Sequence, residues 1–132
     1  MISVHHTLEV LSKFSINTKY ILALIFYVPA SPKVTALPPI GLVTVTEGDD
    51  ATLECESSGN PLPSLIWSRN EGLPQNAVST CSRSSCLYLS NVKRDTAGVY
   101  HCQADNGVGV PVKAQISLKV ECKVVLNLFI AI

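Results

Sequence analysis

The stretch Asp95-Thr96-Ala97-Gly98-Val99-Tyr100-His101-Cys102 decides the fold of this chain. Within it, a tyrosine stands two positions before a cysteine, and a short polar turn precedes both. Towards the N-terminus the next landmarks are Trp67 and then Cys55, so the chain's single tryptophan lies between two cysteines that are far apart in sequence. This order of residues, with a tyrosine just before the second cysteine, is typical of two β-sheets stacked face to face.

Large apolar residues recur at every second position in four separate segments. The pairs are Leu53 with Cys55, Leu65 with Trp67, Leu87 with Leu89, and Tyr100 with Cys102. Successive side chains of a strand point to opposite faces, so each pair lies on one face of its strand. Those faces predict the core of an all-β protein, in which two antiparallel sheets stack about 10 Å apart.

These features together resemble the immunoglobulin superfamily, and within it the I-set domains of cell-adhesion molecules and receptor ectodomains. The resemblance covers residues 31–121 and implies a Greek-key sandwich. It also implies a disulfide between Cys55 and Cys102, with Trp67 packed in the core beside it. In the family, the hydroxyl of the tyrosine at the Tyr100 position bonds to backbone just upstream, which fixes the turn before that strand.

The chain departs from the family pattern at one point. Many relatives carry a basic residue that pairs with the acid of the turn before the tyrosine strand, but Val78-Ser79-Thr80 offers none. The corresponding acid here is Asp95, and its candidate partners are Arg83, Lys93 or backbone donors.

A second disulfide is predicted between Cys81 and Cys86. The polar turn Ser82-Arg83-Ser84-Ser85 separates them, and residues facing each other across a hairpin come within disulfide reach. A metal site is the alternative reading of this spacing, but no second pair of ligands lies nearby. With Cys122 the chain has five cysteines, and so many in a short chain favour an oxidising, extracellular location, secreted or at the cell surface.

The two ends of the chain do not fit the sandwich pattern. Residues 1–30 resemble a secretory signal, because Tyr20–Val28 is apolar, lysines precede it and small residues follow it. An unstructured leader is the alternative. Residues 122–132 form an apolar tail. Three explanations stay open for it: the start of a truncated membrane segment that would attach a longer chain to a membrane, the remnant of a lipid-anchor signal, or an artefact of the gene model.

The sequence contains no recognisable catalytic, cofactor-binding or metal-binding motif. No serine or cysteine has a histidine and an acid in a known triad context, and there is no phosphate-binding glycine loop or calcium loop. The formal net charge is zero, and basic residues do not alternate with aromatic ones, so nucleic acid is not an expected partner. We therefore expect a protein that is not an enzyme and that carries no cofactor.

Protein recognition is the function class that remains. In the family, partners commonly dock on the outer face of one sheet, on a loop or along an edge. Alternation places Ile66, His101, Gln103 and Lys113 on that outer face, with Ser68 and Gln115 beside them. We expect an adhesion-type module that binds another immunoglobulin-domain protein or a second copy of itself. The alternatives are that Ile66 is ordinary exposed surface, and that the domain is a spacer in a larger receptor or matrix protein.

Overall fold

The computed structural model describes residues 27–123, and these residues form eight β-strands and two short 3₁₀ segments. The strands are β1 (Ala30–Leu37), β2 (Leu42–Thr46), β3 (Ala51–Asn60), β4 (Ser64–Arg69), β5 (Ala77–Thr80), β6 (Cys86–Leu89), β7 (Gly98–Asp105) and β8 (Val112–Glu121). The 3₁₀ segments are Ser82–Ser84 and Arg94–Thr96. Most of the predicted leader and of the predicted apolar tail lies outside the described residues. None of the helical segments within residues 27–123 is long and apolar enough to cross a membrane.

The strands form two four-stranded sheets, so the predicted all-β sandwich is confirmed. The first sheet has the order β1-β3-β6-β5, and the second has the order β2-β8-β7-β4. Every pairing in the first sheet is antiparallel. In the second sheet, β7 pairs antiparallel with both β4 and β8.

One pairing differs from the antiparallel pattern of the rest of the two sheets, because β2 runs parallel to β8. The reason lies at Pro38-Pro39, where the chain leaves the edge of the first sheet and crosses to the edge of the second. The crossing brings the backbone of Gly41 against β8, where Ser117 N–H donates to the Gly41 carbonyl at 2.7 Å. A Cβ at Gly41 would lie 2.6 Å from the carbonyl oxygen of Gln115, so only glycine permits this approach.

The core lies between the two sheets and is built from the alternating residues. All eight members of the four predicted pairs are buried, and Ile116 and Leu118 of β8 join them. A disulfide links Cys55 of β3 to Cys102 of β7 and so joins the two sheets at their centre. The indole of Trp67 is only 5% exposed in the same cluster. The side chains that the period-2 pattern assigns to the interior therefore do lie there.

Candidate recognition surface

The side of the second sheet that faces away from the core is its outer face. Its members alternate with neighbours that are buried on β4 and β7, partly buried on β2, and buried or partly buried on β8, because β-strand side chains point to opposite sides in turn. We define the outer face as Leu42, Ile66, Ser68, Val99, His101, Gln103, Lys113, Gln115 and Ser117.

Strand register arranges the predicted binding residues in two adjacent rows. Ile66 pairs with Gln103, which pairs in turn with Lys113. In the next row Ser68, His101 and Gln115 align in the same way. Directly opposed side chains in a sheet have Cβ atoms about 4.5–5.5 Å apart, so these rows form one continuous patch. Within it, the side chain of Ile66 is 66% exposed and that of His101 is half-buried.

A third row was not among the predicted site residues. Val99 is aligned with Ser117, and Ser117 is aligned with Leu42 on β2. Val99 and Leu42 are 38% and 45% exposed. The alternation along β7 indicates that Val99 belongs to the outer face, because Val99 and His101 lie on the same side of the strand. Leu42 enters the outer face only through the parallel pairing of β2 with β8, which sequence reasoning missed.

The outer face ends at a strand with an unpaired edge. No strand within residues 27–123 pairs with the far side of β4, because the segment after it, residues 70–76, forms turns instead. Ile66 lies in the middle of β4. The residues of this strand, Ser64–Arg69, include no proline or lysine that would block pairing with another strand. Backbone donors and acceptors are therefore accessible beside the exposed isoleucine.

Tyr100 and Arg69 hold the turn that precedes β7 in place. The buried Tyr100 hydroxyl donates to the Thr96 carbonyl at 2.5 Å, as the family resemblance implies. The guanidinium of Arg69 lies 5.4 Å from the centre of the Tyr100 ring and donates to the carbonyl of Asp95 at 3.0 Å. Burial raises the pKa of Tyr100, and the charge of Arg69 partly opposes that rise.

The predicted candidates for the partner of Asp95 did not include Arg69. Arg83 donates instead to the carbonyl of Leu62 at 2.8 Å, on the connection between β3 and β4. Arg69 comes from the end of β4 and reaches the turn through the backbone of Asp95 rather than through its carboxylate. Contact between residues 26 positions apart depends on sheet pairing, so local spacing gave no signal for it.

The turn between β5 and β6 carries the second disulfide, Cys81–Cys86. Its Ser84 carbonyl accepts a hydrogen bond of 2.7 Å from Nε1 of Trp67. This bond satisfies the one polar atom of the buried indole. The turn is therefore connected to the core, and through Arg83 to the loop before β4.

Within residues 27–123, no group of three or more histidine, cysteine, aspartate or glutamate side chains could hold a metal ion. On the first sheet, the Tyr88 hydroxyl donates to Asp50 at 2.6 Å and the Asn91 N–H donates to the same carboxylate at 2.9 Å. These bonds, the one from Tyr88 first, lower the pKa of Asp50 and join strand β6 to the turn before β3.

The sequence of this chain matches a known protein family and is similar to known proteins. A family model described as immunoglobulin domain matches residues 31–106, more than half of the sequence. Lachesin of Drosophila melanogaster is 33% identical over 79 residues, which cover 60% of this chain and 22% of that protein. MAM domain-containing glycosylphosphatidylinositol anchor protein 1 of Mus musculus is 40% identical over 86 residues, covering 60% of this chain and 9% of that protein.

A similar solved structure is the complex of Dpr11 IG1 with DIP-gamma IG+IG2. It superimposes with a TM-score of 0.59 at 31% identity, covering 71% of this chain and 49% of that one. The chain spans less than a quarter of the length of the two curated relatives.

Proposed function

The chain belongs to the immunoglobulin-domain family, and from this premise we propose that it is an extracellular, non-enzymatic recognition module of the I-set type. Its domain extends over residues 31–121 and binds a protein partner through the outer face. The partner is another immunoglobulin-domain protein or a second copy of this chain. The observation that carries the proposal is the arrangement of the outer face, where exposed apolar side chains surround polar ones next to an open strand edge.

The composition of the outer face supports a contact with protein. Ile66 at one side and Val99 and Leu42 at the other provide apolar area, and His101 and Gln103 lie between them. Lys113 lies at the rim and is exposed. Protein interfaces commonly combine apolar area with polar side chains, and the outer face offers both. Lys113 is the one lysine or arginine of the outer face as defined, and none of its members is acidic, so this surface suits a protein better than a nucleic acid.

Similar proteins support the choice of partner and location. The solved complex pairs one immunoglobulin domain with others. The name of one relative includes a glycosylphosphatidylinositol anchor, which places that protein at a membrane surface. We extend both properties to this chain as part of the proposal, with membrane attachment supplied by sequence beyond the domain.

The proposal is tested by displaying the full chain as a multivalent probe against an array of immunoglobulin-domain ectodomains that includes the chain itself. We expect saturable binding to at least one of them, and a loss of about tenfold or more in affinity for Ile66→Asp, because a charge would be buried in the contact. The matched control is Val78→Asp, since Val78 is 54% exposed on the first sheet.

The control should bind like the unmodified chain, and both variants should retain the fluorescence of folded Trp67. Equal losses in the two variants would contradict the assignment of the outer face. An absence of binding to every ectodomain would contradict the recognition function and favour a spacer.

A further inference from the structure

The turn that carries Cys81–Cys86 has an unfavourable backbone conformation. Cys81 has φ 64° and ψ 171°, a combination that only glycine adopts readily. Arg83 and Ser84 follow with φ 57° and 60°, in the left-handed region that crowds a Cβ against the backbone. Three of four consecutive residues therefore hold positive φ without being glycine, and a closed disulfide spans them.

The two cysteines of this bond differ in accessibility. Cys81 is exposed, whereas Cys86 is only 6% exposed. The central bond is different, because Cys55 and Cys102 are 2% and 0% exposed. Disulfide exchange requires a thiolate to approach one sulfur in line with the bond, so a reagent can reach the small turn and not the core.

We propose that the Cys81–Cys86 disulfide is a thiol-exchange site whose substrate is a protein dithiol. One thiolate of the dithiol attacks Sγ of Cys81, the bond between Cys81 and Cys86 breaks, and Cys86 leaves as a thiolate. The second thiolate of the dithiol then attacks the sulfur of the first dithiol cysteine in the mixed disulfide. Cys81 leaves as a thiolate. The dithiol is oxidised to a disulfide, the two cysteines take up the two electrons, and the protons lost by the dithiol end on their thiols.

Breaking the Cys81–Cys86 bond affects the core, because the turn that carries it is hydrogen-bonded to Trp67. The Ser84 carbonyl accepts the indole hydrogen bond, and Arg83 of the same turn bonds to the carbonyl of Leu62. When the disulfide no longer holds the positive φ angles, the turn relaxes and both contacts are lost. The redox state of the turn therefore controls the position of Trp67 and of the loop before β4, the strand that carries Ile66.

The first test is graded reduction of the full chain with dithiothreitol after Cys122, the free cysteine of the described residues, has been blocked. Newly formed thiols are alkylated and located by peptide mass spectrometry. We expect Cys81 and Cys86 to become labelled at a dithiothreitol concentration at least about tenfold lower than Cys55 and Cys102. Simultaneous labelling of all four cysteines, or earlier labelling of the central pair, would overturn the proposal.

The site of attack is tested with a thioredoxin-class dithiol protein whose second cysteine has been replaced by serine. This protein traps the mixed disulfide because it cannot complete the exchange. The trapped bond should be to Cys81. Trapping on Cys86, or no trapped complex when dithiothreitol does open the bond, would overturn the assignment.

The backbone contribution is tested by Ser84→Gly, with Ser82→Gly as the matched control. Glycine at 84 removes the left-handed penalty and keeps the carbonyl that Trp67 needs, so this variant should require about tenfold more dithiothreitol. Ser82 has no positive φ, so glycine there should not make the bond harder to reduce. Equal behaviour of the two variants would show that the backbone does not drive exchange.

The coupling to the core is tested by fluorescence, since the chain contains a single tryptophan. Selective reduction of Cys81–Cys86 should shift the emission of Trp67, and the Cys81→Ser/Cys86→Ser variant should show the shifted spectrum without reductant. Unchanged emission on reduction, with labelling of both cysteines verified, would contradict the coupling.

Discussion

At the residue scale, Tyr100 is the side chain on which the turn before β7 depends most. Its hydroxyl is fully buried, donates to the Thr96 carbonyl and accepts a hydrogen bond from Arg69. A buried carbonyl that loses its donor keeps its desolvation cost, so the hydroxyl contributes more than an exposed one would.

Tyr100→Phe should therefore lower the free energy of unfolding by about 1–3 kcal/mol. The control is Tyr27→Phe, because Tyr27 is 47% exposed and its hydroxyl makes a longer bond of 3.3 Å to Asn60. That change should cost less than about 0.5 kcal/mol. Urea unfolding followed by Trp67 fluorescence measures both, and equal stability of the two variants would refute the role of Tyr100.

Asp50 is the residue for which the structure predicts a pH dependence. Its pKa is lowered by the bond from Tyr88 and then by the backbone N–H of Asn91. A carboxyl group with a lower pKa in the folded state stabilises the fold above its ordinary pKa. That contribution is lost as the pH falls through the folded value.

In Tyr88→Phe, the pKa of Asp50 should rise towards its ordinary value. Because less stabilisation is then present at neutral pH, the variant should lose less stability than the unmodified chain as the pH falls below about 4. Titration of the Asp50 carboxyl carbon by NMR measures the first effect, and thermal unfolding across that pH range measures the second. An unchanged Asp50 titration would rule out the Tyr88 bond as the cause.

At the element scale, the two disulfides have different functions. Cys55–Cys102 closes a separation of 47 positions between the two sheets, whereas Cys81–Cys86 closes one of five within a single turn. The chain-entropy model assigns about 4 kcal/mol to the long closure and about 2 kcal/mol to the short one. The positive φ angles of the turn offset part of the smaller value.

Cys55→Ala/Cys102→Ala should therefore destabilise the domain by about 2–5 kcal/mol, enough to unfold many domains of this size. Cys81→Ser/Cys86→Ser should cost distinctly less, because the turn and its contacts with Trp67 and Leu62 loosen while the two sheets stay covalently joined. Chemical unfolding of the two double variants under identical conditions compares them. Equal destabilisation would mean that the small turn supports the whole sandwich.

The elements themselves could be predicted well from the sequence, because alternation of large apolar residues is a local signal. The four segments with alternating apolar residues lie on β3, β4, β6 and β7, and their core pairs are buried. The direction in which β2 pairs was not predictable in the same way, since it depends on where the chain crosses at Pro38-Pro39. The outer face was predicted in its first two rows, but Leu42 needed that pairing to be known.

Contacts between elements were the least predictable. Arg69 reaches Asp95, and Trp67 reaches Ser84, only after β4 is placed between β7 and the turn that follows β5. The positive φ of Cys81, Arg83 and Ser84 also has no sequence signal, because none of these residues prefers that conformation. Cysteine spacing alone therefore does not distinguish a reducible turn from an inert one.

At the scale of the whole molecule, the proposed functions occupy separate parts of one sandwich. The outer face covers one sheet, and the reducible turn belongs to the other. The proposed link between them is Trp67, which donates to Ser84 of the turn and whose neighbour in the chain, Ile66, lies on the outer face. Reduction of the turn should therefore alter binding at the outer face as well as the fluorescence of Trp67.

Both proposals require that the chain is oxidised outside the cytosol. The most direct measurement is the intact mass of the protein produced by cells that express the full sequence, alkylated before and after reduction. We predict secreted protein that lacks the first 30 residues or so and takes up one alkyl group before reduction and five after it. A full-length chain retained inside the cells, with all five cysteines alkylated without reduction, would contradict the extracellular function.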